Sequence, residues 1–299
     1  MTNQHTVAII GAGHIGQALA HVLSARAGTS VRLWDTDIKK VPNQQELDVT
    51  LAGAQVVFLC CNSWAAREAL QAIAPHLEAD AVVVSPIKGL EDDTLYTVDQ
   101  IIADVLPKHP VALINGPMLS KEMMDGQPSF AMVASDSASA RDVLIDLFSG
   151  TTLRVQPSED VHGTALAGVL KNVYSIGLGM TAAMELGSNF RGWFVSQAVQ
   201  EMADIIEAQK GSRNTAVEQA GLGDLVATGF SPLSRNCQAG QELVQSGECI
   251  TVSEGAMSLP ALLRLLEHTR ASYPIIDMLG RVVVEKQPAK EQLLALLES

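Results

Sequence analysis

The chain has 299 residues, 47% of them hydrophobic, and this length suffices for two hydrophobic cores because one core stops growing near ~250–300 residues. Its 33 acidic residues outnumber 20 basic ones, and the net charge of -13 argues against binding to nucleic acid or to an anionic membrane. No stretch is typical of a signal peptide or a transmembrane helix, and the four cysteines lack the spacing of a metal or redox site. We therefore predict a cytoplasmic protein with no metal centre, no membrane insertion and no nucleic-acid partner.

Strands and helices alternate over the first half of the chain. Short apolar runs predict strands at 6–10, 31–34, 56–61, 81–85, 111–114, 130–134 and 152–155. Helices are predicted from Gly16 to Leu23 and over Ala65–Leu77, Asp93–Val105 and Ala138–Phe148, with a polar connection at 36–50. This alternation predicts an α/β domain with a doubly wound, Rossmann-type sheet.

Helical periodicity dominates the chain after Ser158. It recurs at 164–186, 190–209, 213–220, 235–246, 258–270 and 274–285. We therefore predict a dinucleotide-binding domain over 1–158 and an all-helical substrate-binding domain over 159–299. The mixed apolar faces of these helices favour a homodimer.

The first strand leads into a glycine-rich turn that begins a helix, Gly11-Ala-Gly-His-Ile-Gly16. The three glycines permit a tight turn, close approach of the backbone to a pyrophosphate, and close packing of helix on strand. The helix N-terminus also favours a phosphate. The alternative is a bare structural turn. The predicted cofactor contacts in the turn are Gly11, Gly13, His14, Ile15 and Gly16.

Asp35 closes the second strand, nineteen residues beyond Gly16. A carboxylate there can accept hydrogen bonds from the adenosine ribose and would repel a 2′-phosphate, so we predict NAD as the preferred cofactor. Arg32 and Lys39 lie close by in sequence and leave NADP possible. The alternative for Asp35 is an exposed turn residue.

Lys171 lies in the middle of 160–180, a predicted helix that is apolar on every side. Such a helix is buried, and Asp160 can cap its start. A lysine there either reaches the surface or points into a cleft where chemistry uses it. Asp224, in Gly221-Leu-Gly-Asp-Leu-Val-Ala-Thr228, is the other charge in apolar surroundings and is therefore the predicted ion-pair partner of Lys171.

Polar residues at the ends of other elements extend the candidate site. Lys88 follows the fourth strand and could reach an anion or a carbonyl oxygen, or it could be a solvated loop lysine. Asn115 follows the fifth strand as a site residue or a plain turn residue. Ser234-Arg-Asn236 places a hydroxyl, a guanidinium and an amide at a helix start, which suits a phosphate; the alternative is helix capping with a surface arginine.

Four motifs make a family resemblance recognisable: Leu170-Lys-Asn172, Gly221-Leu-Gly-Asp224, Ser231-Pro-Leu-Ser-Arg-Asn236 and Val252-Ser-Glu-Gly255. Together with the N-terminal glycine turn, they resemble the bacterial NAD(P)-dependent glycerol-3-phosphate dehydrogenases over nearly the whole chain. The resemblance implies reduction of dihydroxyacetone phosphate, a small phosphorylated substrate, to sn-glycerol 3-phosphate for phospholipid synthesis.

The same resemblance implies roles for individual residues. It implies catalysis by Lys171, with Lys88 as a second active-site lysine and Asp224 as a substrate-site residue. For the reduction of a carbonyl we predict that Asp224 orients the Lys171 ammonium and that Lys88 adds positive potential. The implied substrate contacts are Asn115, Gly116, Thr228, Ser234, Arg235 and Asn236. The implied cofactor contacts beyond the turn and Asp35 are Lys88, Arg235 and Glu254.

The chain departs from the family pattern at Cys61-Asn62, where the family has Val-Pro, in a shorter connection at 36–50, and at two further positions. Met118 stands where the family has Ser or Thr, and Gln197 stands where a family arginine is expected. These departures favour, as an alternative, a dehydrogenase for a different small phosphorylated or carboxylated ketone. A further alternative is a catalytically inactive dinucleotide-binding sensor.

Overall fold

The computed structural model describes residues 5–297, and within them the chain divides into two compact units. The first unit contains the residues up to Ile87 together with Val98–Ala165. The second contains Lys88–Thr97 together with the chain from Leu166 onward. No sequence pattern indicated that Lys88–Thr97 would leave the first unit, and the predicted division into 1–158 and 159–299 stays a prediction, as does the homodimer.

A seven-stranded sheet forms the centre of the first unit. Its strands are β1 (His5–Ile10), β2 (Thr29–Trp34), β3 (Val56–Leu59), β4 (Val82–Ser85), β5 (Val111–Asn115), β6 (Ser129–Ala134) and β7 (Leu153–Ser158). The strand order is β2-β1-β3-β4-β5-β6-β7, with β1 to β5 mutually parallel. β6 runs antiparallel to β5, and β7 runs parallel to β6. The predicted α/β class with a doubly wound sheet is confirmed.

Helices cover both faces of this sheet, as a parallel sheet requires. They are α1 (His14–Ser24), α2 (Leu47–Leu51), α3 (Ala66–Ile73), α4 (Val98–Val105), α5 (Ser120–Met124) and α6 (Ala138–Phe148). Alternate residues of β1 point to opposite faces, so Val7 and Ile9 join one apolar core while Ala8 and Ile10 join the other. Both faces of the sheet are therefore packed against apolar cores, which hold the ends of the strands in place.

Two helix predictions in this part of the chain were too long. The helix predicted over Asp93–Val105 begins only at Val98, because Leu90 and Thr97 form an antiparallel bridge and Leu95 adopts a left-handed φ of 61°. The helix predicted over Ala65–Leu77 is α-helical only from Ala66 to Ile73, and short 3-10 turns flank it. The predicted polar connection at 36–50 contains the start of α2 (Leu47–Leu51).

The second unit is helical. Its helices are α7 (Val161–Ala183, whose first five residues belong to the first unit), α8 (Ser188–Ala208), α9 (Asp224–Gly229), α10 (Arg235–Gln245), α11 (Glu254–Leu265), α12 (Pro274–Val283) and α13 (Ala289–Ala295). The helix predicted over 213–220 is instead a 3-10 turn followed by a π-helical turn over Gln219–Gly223. α13 was not predicted. None of the helices in residues 5–297 is long and apolar enough to cross a bilayer.

α7 is buried on every side, as its sequence predicts. All residues from 163 to 181 are buried, and Asp160 caps the helix by accepting a hydrogen bond from the Gly163 N–H at 3.0 Å. α7 and α10 meet backbone to backbone: a Cβ on Gly240 would lie 1.9 Å from the Ile176 carbonyl oxygen, and one on Gly179 would lie 2.0 Å from that of Cys237. Glycine at both positions lets the two helices approach closely.

We expect Gly240→Ala to destabilise the protein, because the added methyl meets rigid backbone and the two helices must separate. Overpacking of this kind costs about 1–3 kcal/mol. Gly192→Ala in α8 is the matched control, because a Cβ there meets nothing within 4 Å and alanine is the better helix former by up to about 1 kcal/mol. Urea unfolding of both variants checks this; equal stability of Gly240→Ala and wild type would contradict it.

Candidate active site

Two lysines share one buried carboxylate in the second unit. Asp224, the first residue of α9, is 2% exposed. Its Oδ1 lies 3.1 Å from the Lys171 Nζ, and its Oδ2 accepts a hydrogen bond from the Lys88 Nζ at 2.6 Å. Thr228, one turn along α9, accepts a hydrogen bond from Lys171 at 2.7 Å and donates one to Asp224 at 3.1 Å. The predicted pairing of Lys171 with Asp224 is present, and these four residues form the ammonium cluster.

Burial sets the proton affinities in the ammonium cluster. Burial lowers the pKa of Lys171 to about 8; the Lys88 ammonium adds to this decrease, and the Asp224 carboxylate opposes it. Burial would raise the pKa of Asp224, yet the ammonium groups of Lys171 and Lys88 hold it below its ordinary value. The cluster therefore combines a permanent carboxylate with a lysine that can exchange its proton near neutral pH.

The segment Lys88–Thr97 brings Lys88 to this carboxylate. Asn172, the residue after Lys171 on α7, donates a hydrogen bond from Nδ2 to the Lys88 carbonyl oxygen at 3.4 Å. Farther along the segment, Arg264 on α11 forms an ion pair with Asp92. The fixed backbone orients Lys88 toward Asp224, with its side chain only 15% exposed.

Asn172 also ties the starts of α10 and α11 to α7. Its Oδ1 accepts a hydrogen bond from the Asn236 Nδ2 at 2.9 Å, and the Asn236 Oδ1 accepts one from the Gly255 N–H at 2.9 Å. A Cβ on Gly255 would lie 2.5 Å from the Asn172 carbonyl oxygen, so glycine is required for this approach. Two asparagine amides thereby hold three elements next to Lys171.

The remaining residues predicted at this site differ in how they are engaged. Ser234 is the N-cap of α10, and its hydroxyl accepts a hydrogen bond from the Cys237 N–H at 3.2 Å. Arg235 follows it as an exposed residue, and its guanidinium has no hydrogen-bond partner among the described residues. Glu254 opens α11, directly before Gly255. An unpartnered guanidinium at the start of α10 is free to bind an anion.

The glycine turn lies in the first unit, between β1 and α1. A Cβ on Gly16 would lie 1.9 Å from the Gly11 carbonyl oxygen, so Gly16 is required for packing within the turn. Gly11 has a left-handed φ of 105° and packs against the Cys60 backbone. In contrast, a Cβ on Gly13 would meet no protein atom within 4 Å. The space beside Gly13 is therefore open to a ligand that approaches the backbone closely.

Asp35 is joined to this turn. Its Oδ2 accepts a hydrogen bond from the Ala12 N–H at 2.7 Å, and the Lys40 ammonium lies 3.1 Å from the same oxygen. Burial alone would raise the pKa of Asp35, but the N–H groups of Asp37 and Ala12 and the Lys40 ammonium hold it below its ordinary value. The Gln44 side-chain amide clamps the backbone N–H and carbonyl of Asp35, each at 2.8 Å. Asp35 is thus a fixed, ionised carboxylate.

A cavity of about 400 Å³ opens beside the turn where the strand order reverses, beyond the ends of β1 and β3. This is where open α/β sheets bind ligands. Its wall includes Gly11, Gly13, Asp35, Lys40, Cys61 and Asn62. The open space at Gly13, the fixed carboxylate and the cavity fit the pyrophosphate and ribose of a dinucleotide.

Asn115 is the last residue of β5 in the same unit, and Gly116 follows it. Asn115 is fully buried and donates a hydrogen bond from Nδ2 to the Thr164 carbonyl oxygen at 3.1 Å, whereas its Oδ1 has no partner among the described residues. A Cβ on Gly116 would lie 2.5 Å from the Phe130 carbonyl oxygen. Both residues therefore hold the end of β5 in place, and their predicted contact with substrate stays a prediction.

Two family models match this chain in consecutive parts. One, described as the NAD-dependent glycerol-3-phosphate dehydrogenase N-terminus, matches residues 38–141. The other, described as the C-terminus of the same enzyme, matches residues 160–294. Each model matches within one of the two predicted domains.

Whole-chain relatives agree. The glycerol-3-phosphate dehydrogenase [NAD(P)+] of a Nostoc species is 33% identical, with 97% of this chain and 96% of the relative covered. That of Acinetobacter baylyi is 31% identical, with coverage of 98% and 90%. The chain belongs to the NAD(P)-dependent glycerol-3-phosphate dehydrogenase family. A crystal structure of the glycerol-3-phosphate dehydrogenase from Coxiella burnetii has a TM-score of 0.88 at 27% identity, with 99% of both chains covered.

Met118 and Gln197, the departures that favour a different ketone, occupy different environments. Met118 is 7% exposed and belongs to an apolar core of the first unit, where it packs as a core residue. Gln197 is exposed on α8. Met118 therefore stands where the family has a polar Ser or Thr, and its apolar side chain is buried in the core.

Three residues with clear structural roles were missing from the predicted site. Asn172 lies inside a family motif, yet its role as a bridge depends on elements that are distant in sequence. Lys40 reaches Asp35, although the sequence drew attention only to Arg32 and Lys39 as the basic residues near it. Arg32 instead donates hydrogen bonds to the backbone carbonyls of Val49, Thr50 and Ala52. Gln44 carries no sequence signal beyond its place in the polar connection.

We expect Asp224→Ala to destabilise the fold strongly, because it leaves the buried Lys171 ammonium without its counter-charge. Removing one partner of a buried ion pair costs about 3–5 kcal/mol. Asp125→Ala is the control, since the Asp125–Lys121 pair is more than half exposed and such pairs contribute at most about 1 kcal/mol. Chemical unfolding at pH 7 measures both, and a loss for Asp224→Ala no larger than that for Asp125→Ala would contradict the structural role of the cluster.

Proposed function

We propose that the protein is an NAD(P)-dependent sn-glycerol-3-phosphate dehydrogenase that reduces dihydroxyacetone phosphate and supplies a glycerophospholipid precursor. The observation that carries this proposal is the ammonium cluster: Lys171, Asp224 and Thr228 stand at the positions that the family motifs imply and are in hydrogen-bond contact. Family membership along nearly the whole chain supports the same activity.

Lys171 is the proposed acid. An ammonium has three N–H donors. Thr228 accepts one at 2.7 Å and Asp224 faces another at 3.1 Å, which leaves the third for a substrate oxygen. Reduction of a carbonyl places negative charge on its oxygen, and a positioned ammonium stabilises that charge and then donates its proton. Lowering of the pKa of Lys171 to about 8 makes this donation easier.

Asp224 and Lys88 are the proposed supports of this step. Because Asp224 remains a carboxylate, it orients the Lys171 ammonium and keeps it protonated in buried surroundings. Lys88 neutralises the other carboxylate oxygen, so Asp224 does not draw the Lys171 proton to itself. Lys88 also adds positive potential where a carbonyl oxygen becomes an alkoxide.

Arg235 and the start of α10 are the proposed anchor for the substrate phosphate. The Arg235 guanidinium has no partner within residues 5–297, and the helix N-terminus adds favourable field. Asn236 contributes from a fixed position, since Asn172 and Gly255 hold its amide. Binding energy at the phosphate, remote from the reacting carbon, is converted into orientation.

The first unit is the proposed holder of the cofactor. Gly11, Gly13 and Gly16 would receive the pyrophosphate and Asp35 the adenosine ribose, which fits the open space at Gly13. When bound, a nicotinamide dinucleotide supplies the hydride.

The proposal predicts oxidation of NADH by dihydroxyacetone phosphate, and a strong dependence on Lys171. Lys171→Ala removes both the acid and the charge that stabilises the alkoxide, so we expect kcat to fall by at least about 10²-fold. NADH binding, measured by fluorescence titration, is expected to stay within a factor of about two because the glycine turn is untouched.

Lys290→Ala provides the control, because Lys290 is exposed on α13. Its kcat should equal that of wild type. A panel of small phosphorylated and carboxylated ketones runs beside dihydroxyacetone phosphate. If another ketone is turned over faster than dihydroxyacetone phosphate, that ketone is the substrate. A kcat near the wild-type value in Lys171→Ala would refute the assignment of Lys171 as the acid. NADH binding without turnover of any ketone would identify an inactive sensor.

We propose that NADH is preferred and NADPH accepted. Asp35 disfavours a 2′-phosphate, and the Lys40 ammonium beside it tempers that repulsion. We expect Lys40→Ala to shift the ratio of Kd values further toward NADH, by about 10-fold if a close charge pair is lost. Lys39→Ala, a change in the neighbouring exposed lysine, should leave the ratio unchanged. An unchanged ratio in Lys40→Ala would contradict the role of Lys40.

A further inference from the structure

The second unit contains an arginine that the proposed chemistry does not use. Arg191 lies in the first turn of α8 and is partly buried. Its Nε is shielded from solvent and has no hydrogen-bond partner, and its guanidinium forms no ion pair with any acidic residue that the structure describes. A shielded donor without an acceptor destabilises the folded protein, and more strongly when it is charged.

The lack of a partner is unusual for this protein. The chain carries 33 acidic residues against 20 basic ones, so carboxylates are plentiful. In the same unit Arg213, Arg264, Arg270 and Arg281 all form ion pairs. Among the arginines described there, Arg191 and Arg235 are the exceptions, and Arg235 is the proposed phosphate anchor.

Arg191 faces a small cavity of about 170 Å³. The cavity is lined by residues of α7, by the end of α9 and the connection after it, and by α10; besides Arg191 these are Leu178, Ala182, residues 229–232, Cys237 and Gln241. No acidic residue is among those that line it. The Arg191 charge opposes the increase that burial causes in the pKa of the Cys237 thiol, and Cys237 also lines the cavity. The cavity is therefore positive.

Two neutral donors complete the lining. The Ser231 hydroxyl accepts a hydrogen bond from the Leu233 N–H at 3.2 Å and keeps its own O–H free to donate. Among the residues that the structure describes, the Gln241 Nε2 donates a hydrogen bond only to the Cys237 Sγ, at 4.0 Å, so its amide is nearly uncommitted. A guanidinium, a hydroxyl and an amide around a small cavity match the acceptors of a tetrahedral oxyanion.

We infer that the Arg191 cavity, lined by Arg191, Ser231 and Gln241, is a binding site for a small oxyanion of the phosphate class, separate from the substrate site. It does not depend on the proposed function. Residues 229–232 follow directly after Thr228, and Leu178 is two turns beyond Lys171 on α7, so the cavity borders the elements of the ammonium cluster without including its residues. The ligand is either free phosphate or the phosphate group of a small ester.

Calorimetric titration of the full-length protein with inorganic phosphate, without cofactor, tests the inference. We expect Arg191→Gln to weaken phosphate binding by at least about 10-fold, which corresponds to about 1.4 kcal/mol. Arg154→Gln is the matched control, because Arg154 is an exposed arginine of the first unit and should not alter binding. Gln241→Met, which removes the amide but keeps the length of the side chain, should weaken binding by a few-fold and serves if Arg191→Gln fails to fold.

A second arm separates this site from the substrate site. In Arg235→Gln, phosphate binding at the Arg191 cavity should persist, and competition by glycerol 3-phosphate in that variant would assign the site to phosphate esters rather than to the free ion. Wild-type phosphate affinity in Arg191→Gln and Gln241→Met would overturn the inference. Complete loss of phosphate binding in Arg235→Gln alone would also overturn it, because phosphate would then bind only at the substrate anchor.

Discussion

A single buried carboxylate determines the arrangement of the second unit. Asp224 is 2% exposed and compensates two lysines that reach it from different parts of the chain. Charges withdrawn from water are costly unless they are paired and hydrogen-bonded. Lys88 and Lys171 can therefore stay close together in apolar surroundings only because Asp224 lies between them. Like charges would otherwise repel each other, and Lys171 would lose its proton.

The rest of the unit serves to keep this cluster in place. α7 is buried all round, so Lys171 has no route to solvent along its own helix. The backbone contacts at Gly179 and Gly240 hold α10 against α7, and the Asn172 amide joins the start of α10 to the Lys88 backbone. The residues proposed to hold the substrate phosphate are thus positioned relative to the residue proposed to donate the proton. This is preorganisation of the kind that electrostatic catalysis requires.

Most of the fold could be predicted from the hydrophobic periodicity of the sequence and from local motifs. The doubly wound sheet follows from apolar runs that alternate with helical patterns, and burial of α7 follows from its lack of a polar face. The pairing of Lys171 with Asp224 was predictable because both are charges in apolar segments. The helix predicted over Asp93–Val105 was too long because the left-handed turn at Leu95 depends on the bridge between Leu90 and Thr97, which helical periodicity does not reveal.

Contacts between segments that are distant in sequence could not be predicted. Lys88 was predicted from its position just after a strand of the first domain, but its segment belongs to the second unit, where Lys88 reaches Asp224. Lys40 and Lys39 are equivalent in sequence, and only the course of the turn decides that Lys40 reaches Asp35. Asn172 was visible as part of a motif, yet its bridging role needs the positions of two other elements. Family resemblance supplied residue identities and expected roles, and the structure supplied these connections.

The central claim is that Lys171 donates the proton and that Asp224 keeps its pKa from falling further on burial. The pH dependence of kcat for ketone reduction tests this claim most directly. Because the pKa of Lys171 is lowered to about 8, kcat should decline as the pH rises through that value and the ammonium is lost. Asp224 raises the pKa of Lys171, so in Asp224→Asn the decline should move to lower pH by about 1 unit or more. Asp125→Asn should keep the wild-type profile, and a decline at the same pH in wild type and Asp224→Asn would contradict the account.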